Sequence, residues 1–224
     1  MAEQLALDLP LAPAMGRADF IVAPSNAVAL AQVDAWRDWP GAKLALIGPE
    51  GSGKSHLAHL WAEETGAELV PARELALADL PDLARAGRVV VEDADRIAGY
   101  GEGERALFHL HNMVLAGGGR LMVTGRSAPS RWGVVLPDLA SRLQAMATAE
   151  LAEPDDRLLS MVLVKLFADR QVTAPATLIP WLVTRMDRSL AAANRLVERL
   201  DREALARGRA IGRVLAQQVL DEAV

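Results

Sequence analysis

Residues 48 to 55 read Gly-Pro-Glu-Gly-Ser-Gly-Lys-Ser, a full GxxxxGKS turn, set between the apolar run Leu44-Ala45-Leu46-Ile47 and the helical pattern His56-Leu57-Ala58-His59-Leu60-Trp61. An apolar strand that passes through a glycine-rich turn into a helix has few ways to bury itself. It belongs in a parallel sheet with helices on both faces. The turn also carries a chemical expectation. Gly48, Gly51 and Gly53 let the backbone curl so that its N–H groups face one centre, and the following helix points its positive end there. Pro49, Ser52 and His56 complete this phosphate-facing stretch. Lys54 is placed to reach the outer phosphates of a nucleotide and Ser55 to hold Mg²⁺. The expected ligand is ADP or ATP with Mg²⁺.

With 224 residues, 51% of them hydrophobic, the chain can bury one good core, or a larger core and a small satellite. Cysteine is absent, which excludes disulfides and thiolate ligands and fits a reducing compartment, with the cytosol as the default. The first residues lack basic side chains and are interrupted by Asp8, Pro10 and Pro13, and no run is long enough to span a bilayer. Neither a signal peptide nor membrane attachment is expected. The net charge is −5, with the acidic excess in the first 150 residues and a near-balanced, arginine-rich remainder. Tight direct binding to duplex DNA needs a basic face and is not expected.

Along the chain, strands are expected at 43–47, 68–71, 88–91, 120–124 and 145–151. Helices are expected at 53–64, 103–115 and 137–143. Alternation of this kind argues for an α/β fold with a parallel five-stranded sheet. From Pro154 the pattern becomes purely helical, with cap signals at Asp155, Thr173 and Asp187 and a break at Gly208. The expected organisation is a tail over 1–18, a nucleotide-binding α/β domain over 19–152, and a four-helix lid over 153–224.

Strand 88–91 runs directly into Glu92-Asp93-Ala94-Asp95. Adjacent carboxylates at a strand end beside a phosphate loop suit Mg²⁺ binding and the orienting of an attacking water. Thr124 ends its strand at the edge where such sheets bind ligands, and reads either as a reporter on the outer phosphate or as a strand terminus without a role. Arg126 and Arg131 read as solvated. Arg142, on a short helix, is placed to project into a neighbour's site and stabilise charge on a transferring phosphoryl group, the alternative being a surface salt bridge. Arg188 is expected to open a lid helix behind the cap Asp187, where it could fold onto the phosphates, the alternative being a helix-surface arginine. His56 and His59, at i and i+3, lack a third metal ligand and read as packing or surface residues.

Together these residues resemble the AAA+ ATPases, and within them the DnaA/Hda family, especially its short regulatory Hda type. Phe20-Ile21-Val22-Ala23-Pro24-Ser25-Asn26 is similar to the family's opening motif near the adenine base, which implies base contacts for Ile21 and Val22. Residues 48 to 59 are similar to Walker A, Glu92-Asp93-Ala94-Asp95 to Walker B, and residues 106 to 112 to the helix after it. Thr124 matches sensor 1, Ser141-Arg142-Leu143 the arginine-finger box, and Arg188 sensor 2. The resemblance covers residues 19 to about 220. Glu92 departs from the usual Asp. Either its longer side chain reaches Mg²⁺ through water, or Asp93 takes that role and no good catalytic carboxylate remains.

An initiator of this family has a further helix-turn-helix domain and an N-terminal helicase-loading domain, whereas this sequence stops at Val224, where the lid is expected to end. Its tail contains Gln4-Leu5-Ala6-Leu7-Asp8-Leu9, similar to QLxLxL peptides that dock on the DNA polymerase III β sliding clamp. Leu5, Leu7 and Leu9 would be the apolar anchors and Gln4 a hydrogen-bonding group. The resemblance implies a regulator that binds the clamp and stimulates ATP hydrolysis by DnaA through Arg142 in trans. DNA contact would then be indirect, through the clamp, and a homodimer is left open. The alternative is an autonomous ATPase such as a helicase loader.

Overall fold

Apolar runs too short for helices and bounded by Gly, Pro and charged residues become strands, and the longer amphipathic stretches between them become helices. The computed structural model describes residues 16–17 and 20–222; Gln4, Leu5, Leu7 and Leu9 lie outside the described residues. In chain order the elements are α1 (Ala27–Asp34), β1 (Lys43–Ile47), α2 (Lys54–Thr65), β2 (Glu68–Pro71), α3 (Leu80–Arg85), β3 (Arg88–Glu92) and α4 (Gly101–Ala116). There follow β4 (Arg120–Gly125), α5 (Pro137–Gln144), β5 (Ala147–Glu150), α6 (Asp156–Asp169), α7 (Leu178–Val183), α8 (Leu190–Arg207) and α9 (Arg213–Asp221).

The five strands form one sheet in the order β2-β3-β4-β1-β5, and every pairing is parallel. Successive residues of a strand point to opposite faces, so each central strand feeds two cores. Ala45, Val89, Val91, Leu121 and Val123 pack on one face with Leu107 and Leu110 of α4 and Leu139 and Leu143 of α5. Leu44, Leu46, Val90 and Met122 pack on the other with Leu30 and Val33 of α1 and Leu57 and Trp61 of α2. Coverage on both faces explains why all five residues of β1 are buried and why β1 and β3 read as continuous apolar runs rather than alternating ones. A third core, built from residue 159 onward, joins α6 to α9 through Leu159, Leu163, Leu182, Val197 and Leu215 among others.

Three local expectations are corrected. Thr173 caps no helix: it is followed by Ala174 and Pro175, and a residue before proline is biased away from helical geometry, so α7 begins only at Leu178. Asp187 is likewise not a cap. The cap of α8 is Ser189, whose hydroxyl accepts from the Ala192 N–H at 2.9 Å, and Arg188 therefore precedes the helix instead of opening it. The last strand is shorter than 145–151, because Ala145 and Met146 are used in closing α5, donating to the carbonyls of Ser141 and Leu143. Asp155 does cap α6, accepting from Leu158 N–H at 2.7 Å, and Gly208 ends α8 in the left-handed region at φ 58°.

One buried charge organises the fold beside the sheet. Glu104, on α4, is 1% exposed. Its carboxylate accepts from the N–H groups of Gly99 at 2.7 Å, Val135 at 3.0 Å and Leu136 at 2.7 Å. Burial pushes its pKa up, but the three N–H donors outweigh that and hold it below the ordinary 4.5. His111 on the same helix is also 1% exposed, and burial first of all holds its pKa below 6.5. For the carboxylate, stability is present above pH 4.5 and lost as pH falls through the folded value. For the imidazole, which must stay neutral, stability is lost below pH 6.5 down to its own folded value. Both act in one direction, so the urea midpoint is expected to fall steadily as pH drops from 6.5 to below 4. Glu104→Gln should remove the lower part of that slope, and a midpoint flat across this range would contradict the assignment.

Candidate functional site

Because the strands are parallel, the carboxyl ends of β1, β3 and β4 lie at one edge, and the three sequence-predicted segments meet there. From β1 the chain enters the glycine turn, with Gly48, Gly51 and Gly53 at φ of 154°, 74° and 101°, conformations that glycine adopts without strain. A side chain at Gly51 would meet Ser189, and one at Gly48 would meet the carbonyl of Leu151, so the close approach of neighbouring backbone also requires glycine at both places. α2 begins at Lys54, and the first-turn N–H groups of Lys54 and Ser55 have no intrahelical partners. They face the mouth of the turn with the positive end of the helix behind them, an arrangement suited to an anion.

Lys54 is 8% exposed, and its ammonium donates to the carbonyls of Gly48 at 2.7 Å and Pro49 at 2.8 Å. Burial lowers its pKa from 10.5, partly offset by the nearby charges of Asp93, Asp95 and Glu50. Ser55 is exposed. The hydroxyl of Ser52 and the Oε1 of Glu92 are buried with no hydrogen-bond partner among the described residues. Asp93, just after β3, sits in the left-handed region at φ 54° and pairs with Arg96 at 3.1 Å. Thr124 is 1% exposed and its hydroxyl accepts from the Asp93 N–H at 2.9 Å, so it holds the acidic turn against β4.

An open cleft of about 280 Å³ is lined by Gly51, Gly53, Lys54, Ser55, Asp93 and Leu190 among others. The residues fit a Mg²⁺-nucleotide. Backbone N–H groups and Lys54 would supply an anion site and Ser55 a hydroxyl, and Glu92 has a buried carboxylate oxygen lacking a partner among the described residues. Among the described residues no cluster of three His, Cys, Asp or Glu side chains is arranged to hold a metal alone, so an ion here would need phosphate oxygens or water as further ligands. The opening motif lies close by: Phe20 contacts His56 edge-on, with ring centroids 5.3 Å apart, Ile21 O accepts from Asn26 at 2.9 Å, and Val22 is 53% exposed. His59 bonds at Nδ1 to the Ser55 carbonyl, 2.7 Å.

Several predicted residues do not line the cleft, among them Gly48, Pro49, Ser52, Glu92 and Thr124, and Arg188 and Arg142 are engaged elsewhere. Arg188 donates to Asp156 at 2.6 Å and to the Pro154 carbonyl at 3.1 Å, tying the start of α8 to the start of α6. Arg142 is exposed on α5, with its guanidinium over the Phe108 ring at 5.2 Å, and does not line the cleft. The sequence reading missed the contribution of α8. Leu190 N–H donates to the Gly51 carbonyl at 2.8 Å, and Leu190 and Ala191 line the cleft. Nothing in the local pattern at 189–191 signals a partner some 140 residues earlier. Arg126, read as solvated, lines the cleft and pairs with Asp95 at 3.5 Å; its position just past a strand end was the available signal.

No protein-family model matches the chain. Among solved structures it is similar to domain III of the replication initiation protein DnaA from Thermotoga maritima, at 19% identity and TM-score 0.79, covering 96% of this chain and 98% of that one. It is also similar to the replication initiator DnaA bound to AMPPCP and single-stranded DNA, at 17% identity and TM-score 0.72, covering 88% of this chain and 69% of that one. A third is the R170A variant of Thermotoga maritima RuvB, at 15% identity and TM-score 0.62, covering 88% and 66%. The chain thus has an α/β fold built on a five-stranded parallel sheet, similar as a whole to that of domain III of DnaA.

Proposed function

We propose that this chain is a nucleotide-bound AAA+ regulator of replication initiation, of the Hda type, that docks on the β sliding clamp and accelerates ATP hydrolysis by DnaA. The observation that supports the reading is the placement of Arg142: exposed, charged, and outside the chain's own cleft, and so accessible to another molecule. The likeness in fold to domain III of DnaA supports a partner of the same architecture, since subunits of one fold can stack with the cleft of one against the α5 face of the next. Gln4, Leu5, Leu7 and Leu9 would tether the chain to the clamp. ADP or ATP with Mg²⁺ would occupy the cleft through Gly48, Pro49, Gly51, Ser52, Gly53, Lys54, Ser55 and His56, with Ile21 and Val22 toward the base and Thr124 behind the acidic turn. Glu92 and Asp93 would share the metal side. Arg188 would turn from Asp156 toward the phosphates once a nucleotide is bound.

In this mechanism the chain's own residues bind and orient. Lys54, now held by the Gly48 and Pro49 carbonyls, would be available to phosphate oxygens, Ser55 and Glu92 would be the groups to hold a metal ion, and Arg142 would supply positive charge to the partner's transferring phosphoryl group. The bound nucleotide would set the conformation of α8 through the Gly51–Leu190 bond. A hydrogen bond to a charged group contributes about 1.5–3 kcal/mol, so Lys54→Met should weaken ADP and ATP binding by about 10- to 150-fold in calorimetric titration. A dissociation constant within threefold of the parent would remove Lys54 from phosphate binding.

The test of the whole reading is hydrolysis by ATP-loaded DnaA in the presence of DNA-loaded clamp, with and without this chain. Faster conversion to ADP, lost when Gln4, Leu5 and Leu7 are all changed to alanine, is the expected result. No acceleration, together with substantial turnover by this chain alone, would replace the reading with that of an autonomous ATPase.

A further inference from the structure

We propose that Lys43, buried at the amino end of β1, is a positioning residue for Arg142, holding the last turn of α5 so that the guanidinium faces outward. The proposal rests on the reading of Arg142 as a residue acting on a neighbour's nucleotide. Lys43 is 9% exposed, and no carboxylate among the described residues pairs with it. Its ammonium instead donates to the Arg142 carbonyl at 2.8 Å and lies 3.4 Å from Nε2 of His111. Nδ1 of His111 is 3.3 Å from the Asn112 side-chain oxygen. Both contacts fit a neutral imidazole that carries its proton on Nδ1 and accepts from Lys43 at Nε2. Burial and the Arg142 charge both lower the Lys43 pKa.

A buried ammonium without an acid is costly, and an apolar residue would start β1 more cheaply. The position of the charge explains its use. Arg142 is in the last turn of α5, where the carbonyls have no intrahelical donors and a cation is favourable. Lys43 caps one of those carbonyls from inside the fold. α4 then presents two residues one turn apart: His111 meets the ammonium, and Phe108 lies under the Arg142 guanidinium. The two positive charges repel each other, so the lysine that fixes the Arg142 backbone also drives its side chain away from the core. The chain's own phosphate turn is at the opposite end of β1, four residue steps or about 13 Å away, so Lys43 does not act on it directly.

The test uses the full chain and two readouts. The first is side-chain ¹⁵N NMR of the Arg142 Nε–H group, which the Phe108 ring should shift in the parent. In Lys43→Met that signal should move toward its position in Phe108→Leu, while the remaining spectrum is preserved. An unmoved Arg142 signal overturns the proposal. Lys43→Gln serves the same comparison should the Met variant not fold. The second readout is the stimulated hydrolysis. Lys43→Met should lower the maximal rate by about ten- to a hundredfold, the scale for misplacement of a catalytic group, with the half-saturating concentration unchanged, and should add nothing in the Arg142→Ala background. A further loss in that background would indicate general damage and count against positioning. Should Arg142→Ala itself have no effect, the proposed function fails, while the NMR comparison still decides whether Lys43 holds Arg142.

Discussion

Arg142→Ala is expected to cut the stimulated hydrolysis of ATP by the partner on the order of a thousandfold, the lower end of what an arginine acting in trans supplies. The variant should still fold and still bind its own nucleotide. Among the described residues the Arg142 side chain makes an exposed contact with Phe108, of a kind worth about 0.5–1 kcal/mol, its backbone bond to Lys43 is kept in alanine, and it does not line the cleft. Single-turnover hydrolysis with labelled ATP reads the rate, and calorimetry on the isolated variant reads the binding. Arg142→Lys should not restore the rate, because an ammonium cannot present the planar fork that engages two phosphoryl oxygens together. Unchanged hydrolysis with Arg142→Ala would sink the trans mechanism.

Glu104→Ala should damage the fold severely. It leaves the N–H groups of Gly99, Val135 and Leu136 facing a space where the carboxylate stood. Each unsatisfied buried donor costs about 1–3 kcal/mol, and partial access of water should limit the total to about 3–5 kcal/mol, the usual range for breaking a buried charged network. For a chain of this size that corresponds to a fall in Tm of about 10 °C. The damage also reaches function. Leu136 immediately precedes α5, and Gly99 lies in the turn that follows the acidic segment, so Glu104 ties the helix carrying Arg142 to the loop after β3. A variant that melts within about 3 °C of the parent would show that water or neighbouring groups replace the carboxylate.

The cleft's main components were legible in sequence because the chemistry imposes local spacing. A glycine turn of this kind has its glycines, Lys54 and Ser55 within eight residues, and the acidic pair Glu92-Asp93 sits at the end of its strand. The sheet followed from apolar runs that become strands only when covered on both faces. Arg188 misled for a reason of equal locality. Asp187 and Ser189 are both good caps, and only the extended backbone at Ser189 decides between them, which moves Arg188 off the helix and beside Asp156.

Lys43, Glu104 and Leu190 carried no signal of their own. Lys43 resembles any charge at the start of a strand, yet its acceptor is 99 residues away in sequence. Glu104 resembles a favourable acid in the first turn of a helix, yet it binds backbone 31 and 32 residues later. The sequence by itself determined the parallel α/β class, the glycine turn and the acidic strand end, since each depends on side chains close together along the chain and on periodicities of two and 3.6 residues. Only the tertiary structure decided that α8 closes one side of the cleft, that Arg142 stands outside it, and that a buried lysine and a buried glutamate hold the two ends of α5. Those contacts join segments whose separation along the chain is arbitrary, and their stability comes from desolvation and hydrogen-bond geometry that exist only once the cores have formed.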